Sequence, residues 1–300
     1  MDQRQYLSGM LMVIASAVCF SVQPVFASYA YADGASVSGL MWLRFLVPSL
    51  LLVLLVKRPE GFRVLPAVAM GVLYSATAIC YYSALQHVSA GITAMLLYLF
   101  PVYIFLVAAL LRQERVTLVK MLALLAAMCG VFLSIQGGSE GSVTGIVWGL
   151  GSAVCYGTYI MLSTKVLGNK AGLAATGYVM VGCALVFSVP VVFGEAALPQ
   201  TASGYVAALA LGFISSVAAM YLLMKGVTKM GRATDASIVS TFEPVATLFF
   251  AWLLLAEPLS AANLIGAGLV VAAAITLALS SARQRAKEGA LASRPQPVAG

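Results

Sequence analysis

The chain has 300 residues, of which 62% are hydrophobic and only 9% charged, with a formal net charge of +7 and a mean hydropathy of +0.99. Soluble domains carry about 25% charged residues, so a water-soluble globular protein is excluded. The Lys and Arg residues are scattered in pairs and triples between apolar runs, which excludes the continuous basic surface that nucleic acid requires.

A bilayer core about 30 Å thick takes about 20 apolar residues of helix. Ten such stretches follow one another, near residues 7 to 27, 38 to 56, 65 to 85, 88 to 111, 117 to 135, 143 to 166, 172 to 193, 203 to 226, 234 to 256 and 261 to 280. The runs are continuous and rich in Leu, Ala and Gly, unlike the alternating segments of a membrane β-barrel, so an all-α polytopic membrane protein is expected. Arg4 and the Ala30-Tyr31-Ala32 sequence give the first run some likeness to a cleaved signal, but about 20 apolar residues exceed most signal h-regions, and the run is read as a retained helix. The tail from Ala282 to Gly300 is polar, basic at first and then Pro-containing, a composition expected to be disordered.

With the N-terminus placed in the cytoplasm, the inner loops hold 16 of the 17 basic residues: Arg4, Lys57, Arg58, Arg63, Arg112, Arg115, Lys120, Lys165, Lys170, Lys225, Lys229, Arg232, Arg283, Arg285, Lys287 and Arg294. The remaining one, Arg44, lies inside a span. The positive-inside rule therefore supports ten helices with both termini cytoplasmic, in an inner or plasma membrane.

The ten helices fall into two related halves. At an offset of 136, Ser16-Ala17-Val18-Cys19-Phe20 faces Ser152-Ala153-Val154-Cys155-Tyr156 at the start of each half; at 143, Phe100-Pro101-Val102 and Glu114 face Glu243-Pro244-Val245 and Glu257. The predicted domains are a first five-helix repeat over 5–136 and a second over 143–281, followed by the tail 282–300. Each half has an odd number of helices, so the second enters the membrane from the opposite side. Inverted repeats are a recurring plan of secondary transporters.

The resemblance to a family rests on these same segments. They are Arg44-Phe45, the stretch AGITAMLLYLFPVYIFLVAALLRQERVT at 90–117, and its partner RATDASIVSTFEPVATLFFAWLLLAEPLS at 232–260. On them, over residues 5 to 280, the chain resembles the drug/metabolite transporter superfamily in its EamA-type branch with two EamA domains. The resemblance implies an exporter or permease of small metabolites such as amino acids or amines. A facilitative permease, an importer, or a receptor or scaffold that moves nothing are the alternatives. Where the second half has Glu243 before its Pro, the first has Phe100, so the halves look specialised.

Glu243 is expected about ten residues into helix 9, where an ionised side chain costs roughly 3 kcal/mol to insert. It is a candidate for proton coupling or for contact with a substrate amine, against the plainer reading of a carboxyl bonded to a neighbouring helix. Ser237, Ser240, Thr241, Glu243, Pro244 and Thr247 share one side of a helical wheel and read as a cavity wall or as interhelical glue. Pro101 and Pro244 leave a carbonyl unmet one turn earlier, which bends a helix around a site or is simply tolerated. Arg44, about six residues from the outer end of helix 2, can snorkel outward in a structural role or anchor a substrate carboxylate.

Phe20 and Gln23 on helix 1, and Tyr156 and Tyr159 on helix 6, occupy matching faces of the two halves. Together with Tyr74, Tyr81 and Tyr98 they are the aromatic and polar candidates for a cavity suited to an amphipathic solute, in a wider aromatic set that includes Tyr82, Phe100 and Tyr103. The lone His87 lies in a turn, and the five cysteines fall in spans without a CxxC pair, so no metal or other cofactor is expected. Phosphate-loop and zinc-protease motifs are absent from the sequence, so no enzyme is expected either. The partners expected are a small-molecule substrate, membrane lipid, and a proton or exchange counter-substrate. The run Gly145-xxx-Gly149 and Gly266-Ala267-Gly268 fit close helix packing within the fold or in a homodimer.

Overall fold

The computed structural model describes residues 3–111, 117–136, 142–167, 172–230, 239 and 242–292. Over these residues the chain is helical, without a strand. Its elements are α1 (Gln3–Ser21), α2 (Gln23–Ala32), α3 (Val37–Leu55), α4 (Val64–Ala84), α5 (Ala90–Leu97), α6 (Phe100–Leu110), α7 (Leu118–Gln136), α8 (Val143–Val166), α9 (Leu173–Val192), α10 (Ala202–Gly212), a π-helical segment Phe213–Ala218, α11 (Ala219–Met230), α12 (Glu243–Leu255) and α13 (Ala261–Ala292).

Among the described residues, seven helical runs are long and apolar enough to cross a membrane: Arg4–Ala32, Val37–Leu55, Val64–Ala84, Ala90–Leu110, Val143–Ser163, Leu173–Val192 and Ala202–Met230. Three shorter apolar helices, Leu118–Leu133, Glu243–Leu255 and Ala261–Thr276, accompany them. Large apolar side chains such as Leu54, Leu65, Val143, Val192 and Phe193 point outward. They would be a liability in water, but between acyl chains they cost nothing. The chain is a multi-pass membrane protein.

Helices from the two ends of the sequence interleave: α1 packs on α11, α3 on α9 and α10, α4 on α8 and α9, α7 on α13, and α12 on α5 and α1. The largest buried cluster, with Leu40, Met41, Phe45, Tyr82, Met180, Phe187 and Leu211, sits among α3, α4, α9 and α10. Close approach is possible where glycine removes the side chain. Gly145 lies against Val88 and His87, Gly149 against Leu96, and Gly130 against the Gly266 carbonyl, so these small-residue positions pack within the chain.

Helix ends at one side of the bundle are tied by polar contacts. Ser36 and Ser89 cap α3 and α5 by accepting from Gly39 N and Ile92 N, which meets N–H groups that a helix start leaves unpaired. Glu257 Oε1 accepts from Ala90 N at 2.8 Å, linking the α12–α13 turn to the start of α5. Asp33 Oδ2 accepts from Thr201 N at 2.8 Å and Gln200 N at 2.9 Å, while its Oδ1 accepts from Thr201 Oγ1 at 2.8 Å. Those donors, led by the Thr201 N–H, hold the Asp33 carboxyl below the usual carboxylate range. A depressed pKa means that the unfolded chain binds the proton more tightly, so this contribution to stability is present at neutral pH and is lost as pH falls through the folded value. The melting temperature of the native protein is therefore expected to fall on acidification below the ordinary aspartate range. In Asp33→Asn that fall is shallower and neutral-pH melting is lower.

Three helical runs differ from the continuous spans expected. The first ends at Ala32 rather than near 27 and is broken at Val22, ahead of Gln23-Pro24-Val25. The fourth breaks at Tyr98 and Leu99, ahead of Phe100-Pro101-Val102. In the ninth, the described helix starts at Glu243-Pro244-Val245, after a turn at Phe242. The cause is common to all three: proline lacks the N–H for its helical bond and disfavours α geometry in the residue before it. Glu243 consequently opens the described helix of this run. At the C-terminus, α13 continues to Ala292, through a stretch whose composition predicts disorder.

Candidate functional site

The helix irregularities converge. The breaks bring Gln23, Tyr98, Phe100 and Glu243 to one cavity of about 220 Å³, which is also lined by Ser16, Thr77, Tyr81 and Tyr82. The π segment contributes Ser215 and Ser216 to an adjoining cavity of about 340 Å³, which extends past Tyr159 and Ser163 to Leu167 and Gly172 at the α8–α9 turn. Phe20, Arg44, Tyr74, Tyr156 and Met220 line both. Irregular backbone at membrane depth is tolerated where it lines a cavity, and a π segment, with its extra residue per turn, is frequent at functional sites.

Arg44 does not snorkel. It is 3% exposed, because α3 turns it inward between the two cavities, where α1–α2, α4 and the π segment offer partners. Its Nη2 donates to Gln23 Oε1 at 2.8 Å, its Nε to Ser216 Oγ at 3.1 Å, and its Nη1 to Tyr82 Oη. Tyr82 Oη donates in turn to Gln23 Oε1 at 3.2 Å. The guanidinium carbon lies 5.0 Å from the Phe45 ring centre and 5.1 Å from that of Tyr82. Among the described residues, the hydrogen-bond partners of this guanidinium are neutral.

Glu243 faces the smaller cavity, and its Oε2 accepts from Tyr98 Oη at 2.8 Å. The break in the fourth span places this contact, since Tyr98 is the residue that follows the end of α5. Tyr74, Tyr156 and Tyr159 form an aromatic wall, with ring centres 5.0 Å apart for Tyr74 and Tyr159, and Phe100 stands edge-on to Tyr156 at 4.9 Å. The wall is amphipathic, rings with a few hydroxyls, and suits a solute of mixed polarity.

Of the residues singled out in the sequence, Phe20, Gln23, Arg44, Tyr74, Tyr81, Tyr98, Tyr156, Tyr159 and Glu243 line the cavities, while Pro101 and Pro244 sit at the starts of α6 and α12. Ser237, Ser240 and Thr241 lie outside the described residues. Thr247 is buried and its hydroxyl donates to the Glu243 carbonyl at 3.0 Å. His87 is exposed. Tyr103 leaves the site and bonds Thr158. Sequence reasoning named Tyr82 and Phe45 without placing them and missed Thr77, Ser215, Ser216 and Met220; a Gly-xxx-Ser match between the third and eighth runs, Gly71 and Ser75 with Gly212 and Ser216, is a signal for Ser216. No group of three or more metal-ligating side chains occurs among the described residues.

The sequence profile of the EamA-like transporter family matches residues 7–136 and again 143–279. The chain belongs to the EamA-like transporter family. Its relatives include an uncharacterized transporter of Bacillus subtilis, YcbK, 26% identical over 88% of this chain and 91% of that protein. A probable terminal-alkyne amino-acid exporter of Streptantibioticus cattleyicolor is 29% identical over 74% of this chain and 77% of that protein. An uncharacterized inner membrane transporter of Salmonella typhimurium, YicL, is 24% identical over 92% and 97%. A solved crystal structure matches with a TM-score of 0.64 and 19% identity over 92% of this chain and 98% of that one, a likeness of fold alone. The family is one of transporters and not of enzymes.

Proposed function

We propose that this EamA-like protein is a ten-helix secondary transporter of the inner or plasma membrane, which exports a small amphipathic metabolite such as an amino acid or amine by alternating access, with proton coupling at Glu243. The observation that carries the reading is the convergence of the broken helices on a two-part cavity holding both Arg44 and the Tyr98–Glu243 pair.

The packing supports two inverted repeats of five helices. When the ten apolar runs are numbered in chain order, exchanging each with the run five places along maps the principal contacts onto one another. The third run packs on the sixth and seventh as the eighth packs on the first and second, while the second with seventh, fourth with ninth and fifth with tenth map onto themselves. Glycine contacts repeat too: Gly9 meets Gly226 as Gly145 meets Val88, and Gly71 meets Gly182 as Gly212 meets the Arg44 backbone. Rocking of such halves about a central site is the alternating-access mechanism.

Direction is supported by charge and shape. The larger cavity extends to the α8–α9 turn, which the positive-inside rule assigns to the cytoplasm through Lys165 and Lys170. The opposite side is the one tied by Glu257 and Asp33. This geometry loads solute from the cytoplasm. The name of the Streptantibioticus relative favours amino acids.

A counterflow screen of amino acids, amines and sugars in proteoliposomes tests the reading. At least one solute is expected to exchange in protein-containing vesicles and not in empty ones. Absence of flux for the whole set, from folded protein, removes the transporter reading in favour of a receptor or scaffold.

A further inference from the structure

We propose that Arg44 is the anion anchor of the transport cavity, so that the solute carries a carboxylate, met also by the hydroxyls of Thr77 and Ser215 from the two sides. The inference rests on the transporter reading and narrows its substrate, separating carboxylate-bearing solutes from plain amines.

The first observation is a buried cation whose hydrogen-bond partners among the described residues are all uncharged. Arg44 is 3% exposed, and a buried guanidinium is ordinarily balanced by a carboxylate or phosphate. Its oxygen partners, Gln23, Tyr82 and Ser216, are all uncharged. A guanidinium offers five N–H donors, and three of these contacts reach oxygen; a further one points at Met41 Sδ, 4.0 Å away, where an anionic oxygen would be a far stronger acceptor. The uncharged cradle fixes the fork in place without neutralising it.

The second observation is independent of charge. Thr77 Oγ1 and Ser215 Oγ are buried and have no hydrogen-bond partner among the described residues. Thr77 lines the smaller cavity and Ser215 the larger one, and Arg44 lines both. An unmet buried hydroxyl is costly, so two of them, one in each of the cavities that Arg44 lines, mark a place where an anionic acceptor from outside the protein completes the structure. The same space limits that anion. Glu243, which lines the smaller cavity, opposes a second negative charge on the solute, while Phe20, Phe45, Val179, Met180 and Met220 give the larger one an apolar wall. The solute class that fits is a monocarboxylate with an apolar body, whose ammonium group, where present, turns towards Glu243.

Four probes with one common body test this on the purified, detergent-solubilised protein by ligand-dependent melting: L-phenylalanine, 3-phenylpropionate, L-phenylalaninamide and phenethylamine. The two carboxylates are expected to stabilise the protein at concentrations at least about tenfold lower than the two without one, as loss of a charged hydrogen-bond partner implies. Thr77→Val and Ser215→Ala, which leave the Arg44 cradle intact, are each expected to weaken the carboxylates about three- to tenfold. Arg44→Lys, which keeps the charge and loses the fork, is expected to weaken them about tenfold. The proposal is overturned when phenethylamine or phenylalaninamide stabilises the protein as well as phenylalanine does, when none of the four stabilises it, or when Thr77→Val and Ser215→Ala leave carboxylate binding unchanged. Counterflow of solutes without a carboxylate would sink this assignment and leave the transporter reading standing; melting selectivity without any flux would do the reverse.

Discussion

Proteoliposomes carrying Glu243→Gln are expected to lose solute accumulation driven by an imposed pH gradient by about tenfold or more, the scale of a coupling free energy between two sites, while solute counterflow without a gradient persists. The reasoning starts from where the carboxyl sits. Glu243 opens α12, faces the smaller cavity and accepts from Tyr98 Oη at 2.8 Å. Gln keeps the volume and an oxygen that still accepts from Tyr98, so the cavity wall is preserved, but it cannot take up or release a proton. Losing the gradient dependence while keeping exchange is therefore the signature of a coupling group, as opposed to a packing group. Tyr98→Phe provides the contrast, because it removes the donor and leaves the titratable carboxyl. It is expected to slow transport by about three- to tenfold, the scale of one hydrogen bond to a charged group, with the gradient dependence intact. Unchanged accumulation by Glu243→Gln would take coupling away from this residue.

The elements were legible because hydropathy in a bilayer protein is a direct report of what must avoid water, and Glu243 stood out because an acid in an apolar run is expensive wherever it points. The faces were less legible. A helical wheel assumes about 3.6 residues per turn, and the π segment Phe213–Ala218 adds a residue to the turn, so the register that brings Ser215 and Ser216 to Arg44 cannot be read by counting. Gln23-Pro24-Val25 carries the same X-Pro-Val signature as Phe100-Pro101-Val102 and Glu243-Pro244-Val245, yet the offset of 136 hides its break by pairing Gln23 with Tyr159, in a helix that has no proline there and runs unbroken from Val143 to Val166. The direction in which Arg44 points is not legible for a different reason. Its depth along α3 permits snorkelling, and depth is all a single helix reveals; the partners that turn it inward come from α2, α4 and the π segment, none of which is near it in sequence.

Gly71→Ala is expected to cost at least about 3 kcal/mol, beyond ordinary overpacking of a core, and to leave little monodisperse protein on extraction. α4 and α9 cross backbone to backbone at Gly71 and Gly182. A methyl on Gly71 would run into the Val179 carbonyl oxygen and stand 2.8 Å from Gly182 Cα, and a methyl on Gly182 would run into the Val68 carbonyl oxygen. These obstacles are main-chain atoms of a neighbouring helix, so no side-chain rotation relieves the clash and the helices must separate. Separation would pull Tyr74 on α4 away from Met180 and Cys183 on α9, all of which line the larger cavity, so function is lost with the fold. Gly268→Ala serves as the control. Nothing lies within 4 Å of a methyl there, and alanine is the better helix former by about 1 kcal/mol, so its melting temperature is expected to match or exceed the parent's. Equal melting of Gly71→Ala and the parent would mean that the α4–α9 crossing is looser than the backbone contact requires, and with it the wall that holds Tyr74 opposite Met180.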